Sequence, residues 1–190
     1  MSPVRHLVAP FADRSLADLR AGDQVTLSGT LMTGRDAAHE RFSEILRAGG
    51  RLPFDPNGQV IYYVGPTPAR PGRVIGSAGP TTASRMDSHS PALIELGLRG
   101  MIGKGRRSPE VIRSMQEHGC VYFGAVEGTA ALLGRHVLKA DVVAYADLGA
   151  EAVFQLEVAD FPVVVVNDLV GGDLYELGPA AWRRPQDWER

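Results

Sequence analysis

The sequence predicts an α/β fold, one domain over residues 1–190. Three observations carry that prediction. Alternating apolar patterns mark strands early ("QVTLSGTLMTG") and late ("ADVVAYADL", "AVFQLEVADF") in the chain. Helical patterns of about ten residues stand between them. The late segment "PVVVVND" is apolar on both faces, the signature of a strand covered on both sides. The 190 residues are enough for one domain with a core, and 44% apolar and 22% charged residues are ordinary for a globular protein.

The elements follow in order. Residues 1–14 read as an extended arm, and Ser15–Arg20 as a short helical turn. Val25, Leu27, Gly29 and Leu31 then alternate with Thr26, Ser28 and Thr30, which makes a strand. In "GRDAAHERFSEILRAGG", Ala38, Phe42, Ile45 and Leu46 recur at helical spacing, and Gly49 and Gly50 stop the helix. "QVIYYVG" is a second strand, "PTPARPGR" a proline-rich connection, and "VIGSAGP" a third short extended piece. "SPALIELGLRG" reads as a short helix and "GMIGKG" as a buried strand with a glycine turn. A further helix has Ser108 as N-cap, Pro109 at its first position, Glu110 in its first turn and Gly119 at its end. "CVYFGAV" is a strand and "EGTAALLGRHV" a short helix. "ADVVAYADL", "AVFQLEVADF" and "PVVVVND" are three strand segments, and residues 171–190 form an irregular tail.

Composition excludes several functions. A net charge of −2 gives no broad attraction to nucleic acid or to an anionic membrane. Runs such as "FPVVVV" are too short to span a bilayer. The N-terminus shows no long apolar stretch after its basic residues, so no secretory leader is expected and the cytoplasm is the expected location. The single cysteine, Cys120, rules out an internal disulfide. It equally rules out a Cys-based zinc site or an iron–sulfur cluster held by this chain alone. At the start of an apolar strand, Cys120 reads as a small buried hydrophobe.

Candidate chemistry gathers at element junctions. Arg35 stands between the first strand and the first helix. Arg85 stands in the loop "SAGPTTASRMDSHSP", four residues after Thr81, and Lys104 stands in "IGKG". Ligands of α/β sheets collect beyond the carboxyl ends of strands. Three cations there suit a small substrate carrying more than one carboxylate or phosphate. Blander readings stand beside this one. An arginine at a helix start is commonly a solvated surface residue, and "GKG" lacks the remaining residues of a Walker A loop. Asp87 would cap the next helix, Thr81 and Thr82 would cap turns, and His89 would serve the turn. His39, His118 and His136 lie on helical stretches without metal-ligand spacing, and "DLVGGD" reads as a hairpin turn. The residues alone give an α/β domain with an anion pocket and leave the reaction open.

The motifs "LSGTLMTGRDAAHERF", "GPTTASRMD", "GLRGMIGKG", "HGCVYFGAVEGTAALL" and "EAVFQLEVADFPVVVVNDLVGGDLY", in that order, resemble the beta subunit, or C-terminal domain, of the iron–sulfur class I fumarase and L-tartrate dehydratase family. The resemblance covers nearly the whole chain. It implies a swivelling β/β/α domain, with an N-terminal arm over 1–14 and a tail over 171–190. It also implies a partner alpha subunit that holds a 4Fe–4S cluster through three cysteines, with the active site between the two parts. By resemblance, Arg35 and Arg85 bind substrate carboxylates, Lys104 adds a cation, Thr81 is the catalytic base, and Thr82 shapes the loop against the substrate. A threonine base faces a very high hydroxyl pKa, which nearby cations and exclusion of water would lower. Glu127, Thr129 and His89 depart from the family pattern.

The implied reaction is reversible hydration of fumarate to malate. The alternatives are tartrate dehydration to oxaloacetate and a non-catalytic dicarboxylate-binding module. Val8, Phe11, Trp182 and Trp188 are candidate partner-facing residues, with folding back onto the domain an equal reading, and a homodimer is a further expectation.

Overall fold

The computed structural model describes residues 3–12 and 15–183. Its strands are β1 (Arg5–Ala9), β2 (Gln24–Thr33), β3 (Val60–Tyr62), β4 (Gly100–Gly103), β5 (Val121–Gly124), β6 (Val137–Ala144) and β7 (Val153–Asn167). Its α-helices are α1 (Asp36–Arg47), α2 (Ser90–Glu95), α3 (Pro109–His118), α4 (Ala130–Leu133) and α5 (Leu174–Trp182). The seven-stranded sheet has the order β1-β2-β3-β4-β5-β7-β6. Strands β1 to β5 run parallel to their neighbours, and β7 is antiparallel to β5, to β6 and to β2. Because β7 pairs with both β5 and β2, the strands close into a ring through β2-β3-β4-β5-β7.

Alternation along the strands fills two cores, as the period of two requires. Leu27, Leu31, Tyr62, Ile102 and Phe123 face Leu156, Phe161 and Val165 of β7 in one cluster. Met32, Ile61, Tyr63, Met101 and Tyr122 point to the opposite side and pack against α1, α2 and α3 through Phe42, Ile94 and Met115. Helix α3 is built as predicted: the Ser108 hydroxyl accepts from the Val111 N–H at 3.3 Å, and Gly119 ends the helix at φ 74°.

Six expectations are corrected. The arm over 1–14 contributes β1, which adds to the sheet beside β2. It lies so close that a Cβ on Gly29, itself at φ +97°, would meet the Ala9 carbonyl oxygen at 2.1 Å. Ser15–Arg20 makes turns without a helix, and "VIGSAGP" forms no strand. The "EGTAALLGRHV" segment reduces to α4 between two 3-10 turns. "AVFQLEVADF" and "PVVVVND" are a single strand, β7. A register shift opposite Leu27 and Gly29, with Asp160 at φ 49°, absorbs the break, and Pro162 follows it.

The tail over 171–190 is the sixth correction, because it contains α5. Gly178 and Pro179 are the poorest helix formers, but Asp173 caps the helix by accepting from the Tyr175 N–H at 2.8 Å. Pro179 has no N–H for the Tyr175 carbonyl four residues back. The Arg106 guanidinium donates to that carbonyl instead, at 3.1 Å.

Candidate functional site

The carboxyl ends of β2, β3 and β4 lie side by side, and the chain places the predicted residues there. Arg35 is the N-cap of α1, one residue past Gly34, whose N–H donates to the Tyr62 carbonyl of β3 at 3.2 Å. The threonine loop crosses the ends of β3 and β4. The Thr81 N–H donates to the Tyr63 carbonyl at 2.6 Å, and the Lys104 N–H donates to the Thr81 carbonyl at 3.2 Å. The Ala83 N–H then donates to the Lys104 carbonyl at 2.8 Å, so Thr82 and Lys104 form a parallel bridge. Arg85 projects from the 3-10 turn Ala83–Met86, whose Ala83 and Met86 are buried beneath it.

Two arginines converge on one carboxylate. Arg85 Nε donates to Asp36 Oδ1 at 2.7 Å. Arg35 Nε lies 3.9 Å from Asp36 Oδ2, and Arg35 Nη2 lies 3.3 Å from Glu151 Oε1. Arg35 Nε and Asp36 Oδ2 are buried atoms without a hydrogen-bond partner among the described residues. Arg35, Asp36 and Arg85 are thus one charge cluster, and Thr81, Thr82 and Lys104 are one backbone ladder. The short turn from Thr82 to Arg85 joins the two.

A buried polar layer supports this edge. His39 is fully buried, and its Nδ1–H donates to the Arg35 carbonyl at 2.9 Å. Burial lowers its pKa to about 4, so the ring is neutral, and Nε2 has no partner among the described residues. The Arg107 guanidinium sits between the rings of Tyr63 and Tyr122, at 5.3 and 5.4 Å from their centroids. Its Nη2 donates to Ser90 Oγ at 2.6 Å. Its Nε lies 3.0 Å from Asp87 Oδ1, an ionic contact without hydrogen-bond alignment.

Asp87 therefore does not cap α2. Its Oδ2 accepts from the Ser108 N–H at 2.8 Å, because the buried Arg107 draws the carboxylate toward α3. Nor does Thr82 cap its turn through its side chain. His89 bonds Ser43 of α1 at 2.7 Å.

Sequence reasoning missed Asp36, Glu151, His39, Asp87 and Arg107 as members of this region. Asp36 adjoins Arg35, and Arg107 ends the "KGRR" run, but Glu151 is brought in only by the return of the chain before β7. Phe11 folds back into the domain core at 6% exposure, while Val8 and Trp182 are exposed at 70% and 85%. The Glu127 side chain and Trp188 lie outside the described residues. A separate cavity of about 270 Å³, lined by Arg70, Arg73 and Arg135 among others, contains none of the predicted site residues.

The donor set of this chain does not fit an iron–sulfur cluster. Cys120 is fully buried, and burial pushes its thiol up to about 12, away from the thiolate that a metal needs. Among the described residues, no three His, Cys, Asp or Glu side chains come together as a metal site. No helix among them is long and apolar enough to cross a membrane.

Comparison with known proteins shows what the chain is similar to. The family model described as the fumarase C-terminus matches residues 5–178. The anaerobic class I fumarate hydratase of Escherichia coli K12 is 37% identical over 176 residues, which is 92% of this chain and 31% of that protein. Fumarate hydratase 2 of Leishmania major is 38% identical over 164 residues, 85% of this chain and 29% of that protein. A Methanocaldococcus jannaschii protein, provisionally named L(+)-tartrate dehydratase subunit beta, is 38% identical over 169 residues, 86% of this chain and 87% of that protein. The chain thus spans less than a third of the fumarate hydratases it matches but almost the full length of the beta subunit. On the match over residues 5–178, the chain belongs to the fumarase C-terminus family.

Proposed function

We propose that this chain is the beta subunit of an iron–sulfur hydro-lyase that hydrates fumarate reversibly to malate together with a cluster-bearing alpha subunit. The observation that carries the reading is the convergence of Arg35 and Arg85 on the Asp36 carboxylate, beside the Thr81–Lys104 ladder. Two guanidiniums already arranged around one carboxylate are arranged to receive a second, and an arginine fork binds carboxylates in a fixed plane. Arg35, Arg85 and Lys104 hold the dicarboxylate, Thr82 shapes the loop against it, and Thr81 moves the proton at its hydroxyl. The neighbouring cations favour that hydroxyl's anionic form. The 4Fe–4S cluster belongs to the alpha subunit in this reading, in keeping with the poor fit of Cys120.

The near full-length match to a tartrate dehydratase beta subunit supports a separate alpha chain. It also favours tartrate dehydration to oxaloacetate as the second reading. We take residues 1–190 as one domain that swivels against its partner. The helical layer on one side and the β7 layer on the other support this β/β/α arrangement. A cytoplasmic location and self-association of the beta chain complete the proposal, with the exposed Val8 and Trp182 offered to a partner.

The test is anaerobic co-expression with the alpha chain, cluster reconstitution, and assay on fumarate, malate and both tartrate enantiomers. Turnover of fumarate by the complex alone is expected. Arg85→Ala is expected to lower kcat/KM at least about 30-fold, equivalent to roughly 2 kcal/mol of lost charged hydrogen bonding. An unchanged kcat/KM would remove Arg85 from the site. Full activity of this chain alone, without iron, would end the proposed division of labour.

A further inference from the structure

The Arg107 side chain has no exposed surface, although a buried guanidinium is costly unless it is compensated. Its polar side-chain partners lie on the threonine loop: Asp87 Oδ1 at 3.0 Å and Ser90 Oγ at 2.6 Å. The same Ser90 hydroxyl donates to the Met86 carbonyl at 2.8 Å, and the second Asp87 oxygen accepts from the Ser108 N–H at 2.8 Å. Asp87 follows Arg85 closely in the chain, and Arg107 follows Lys104. The two segments are therefore fastened twice. Backbone hydrogen bonds of Thr81 and Ala83 to Lys104 join them at one end, and the buried ion pair joins them at the other.

Stability alone does not explain such a pair, since apolar residues of similar volume often serve as well or better. We infer that the Arg107–Asp87 pair is a positioning device that fixes the separation of Arg85 and Lys104 and thereby sets the affinity for a dicarboxylate. The affinity part rests on the functional reading above, in which Arg85 and Lys104 bind the substrate. The coupling of the two segments does not.

The experiment uses Asp87→Asn, which keeps size and an acceptor for Ser108, together with Arg107→Lys and Arg107→Met. Arg113→Gln, exposed on α3, is the control. Hydrogen exchange on the full chain is read first. The Ala83 and Lys104 amides are expected to exchange about tenfold faster or more in the pair variants, with Val121–Phe123 of β5 unchanged. In the reconstituted complex, KM for malate is expected to rise about tenfold while kcat stays within about threefold, with Arg107→Lys milder than Arg107→Met. Arg113→Gln is expected to match the wild type in both measurements.

Unchanged exchange at Ala83 and Lys104 overturns the proposal. So does an even loss of protection through β5, or loss of cooperative melting in all three variants, since the pair would then serve stability only. If the exchange changes but an active complex keeps its KM, the affinity claim falls. If the wild-type complex turns over no dicarboxylate, the functional reading fails and the exchange data decide the coupling by themselves.

Discussion

His39 shows how one residue can be read in the sequence for its place and not for its part. Helical spacing puts it on α1, one turn beyond Arg35, and the structure buries it completely under that arginine's carbonyl. Nothing in the spacing indicated that the ring would be dry and neutral, because that depends on Tyr63 and Phe42 arriving against it. The consequence is a pH effect with a definite sign. With a folded pKa of about 4 against 6.5 for a free ring, the unfolded chain binds a proton in that window that the folded chain refuses. Stability therefore falls as pH drops from about 6.5 to 4, by roughly 3 kcal/mol over the window. Denaturant titrations of wild type and His39→Gln across this range are expected to show the steeper fall in the wild type. Parallel slopes would mean that His39 does not carry the effect. Arg35, Arg85, Lys104 and Thr81 stand in the sequence at junctions, where their type is informative. Asp36 hides because an acidic residue in the first turn of a helix has an ordinary use at the helix dipole, and Glu151 because only the return of the chain before β7 brings it in.

At the scale of elements, strands with clean alternation and the capped helix α3 were legible because their signals are local. Ser108, Pro109 and Gly119 suffice to bound α3. The errors share a cause, which is compensation from a distance. Helix α5 survives Pro179 because Arg106 from another part of the chain satisfies the stranded carbonyl. Strand β7 survives its register shift because the Asp160 N–H donates to Ser28 Oγ of β2 at 3.1 Å. Strand β1 is recognisable only through β2, whose Gly29 leaves room for the Ala9 carbonyl. Gly29→Ala combines a left-handed φ with a Cβ placed on that oxygen, and is expected to cost about 2 kcal/mol or more. Exchange protection should vanish first along β1, and a wild-type melting curve would show that β1 can yield without loss.

For the whole molecule, the α/β class was legible from composition and alternation, and the closure of the sheet was not. Closure depends on β7 reaching both β2 and β5, a pairing that no local pattern specifies. The same limit explains why Arg35 and Arg85 could be suspected separately while their convergence on Asp36 required the sheet. The register in which Gln24 meets Val164 also has a kinetic meaning. A strand near the beginning of the chain is completed by one near its end, so the folding nucleus must close a very long loop. During synthesis, β2 to β5 leave the ribosome with the Leu27 and Phe123 side of their surface uncovered until β7 follows. Slow folding and a need for chaperone shelter are the expected costs. A chain cut before Val153 is expected to show no cooperative unfolding in circular dichroism and to aggregate. A sharp transition in that fragment would place the nucleus in the parallel strands alone. The ring that brings the arginines to one edge is therefore also what makes the nascent chain vulnerable until its last strand arrives.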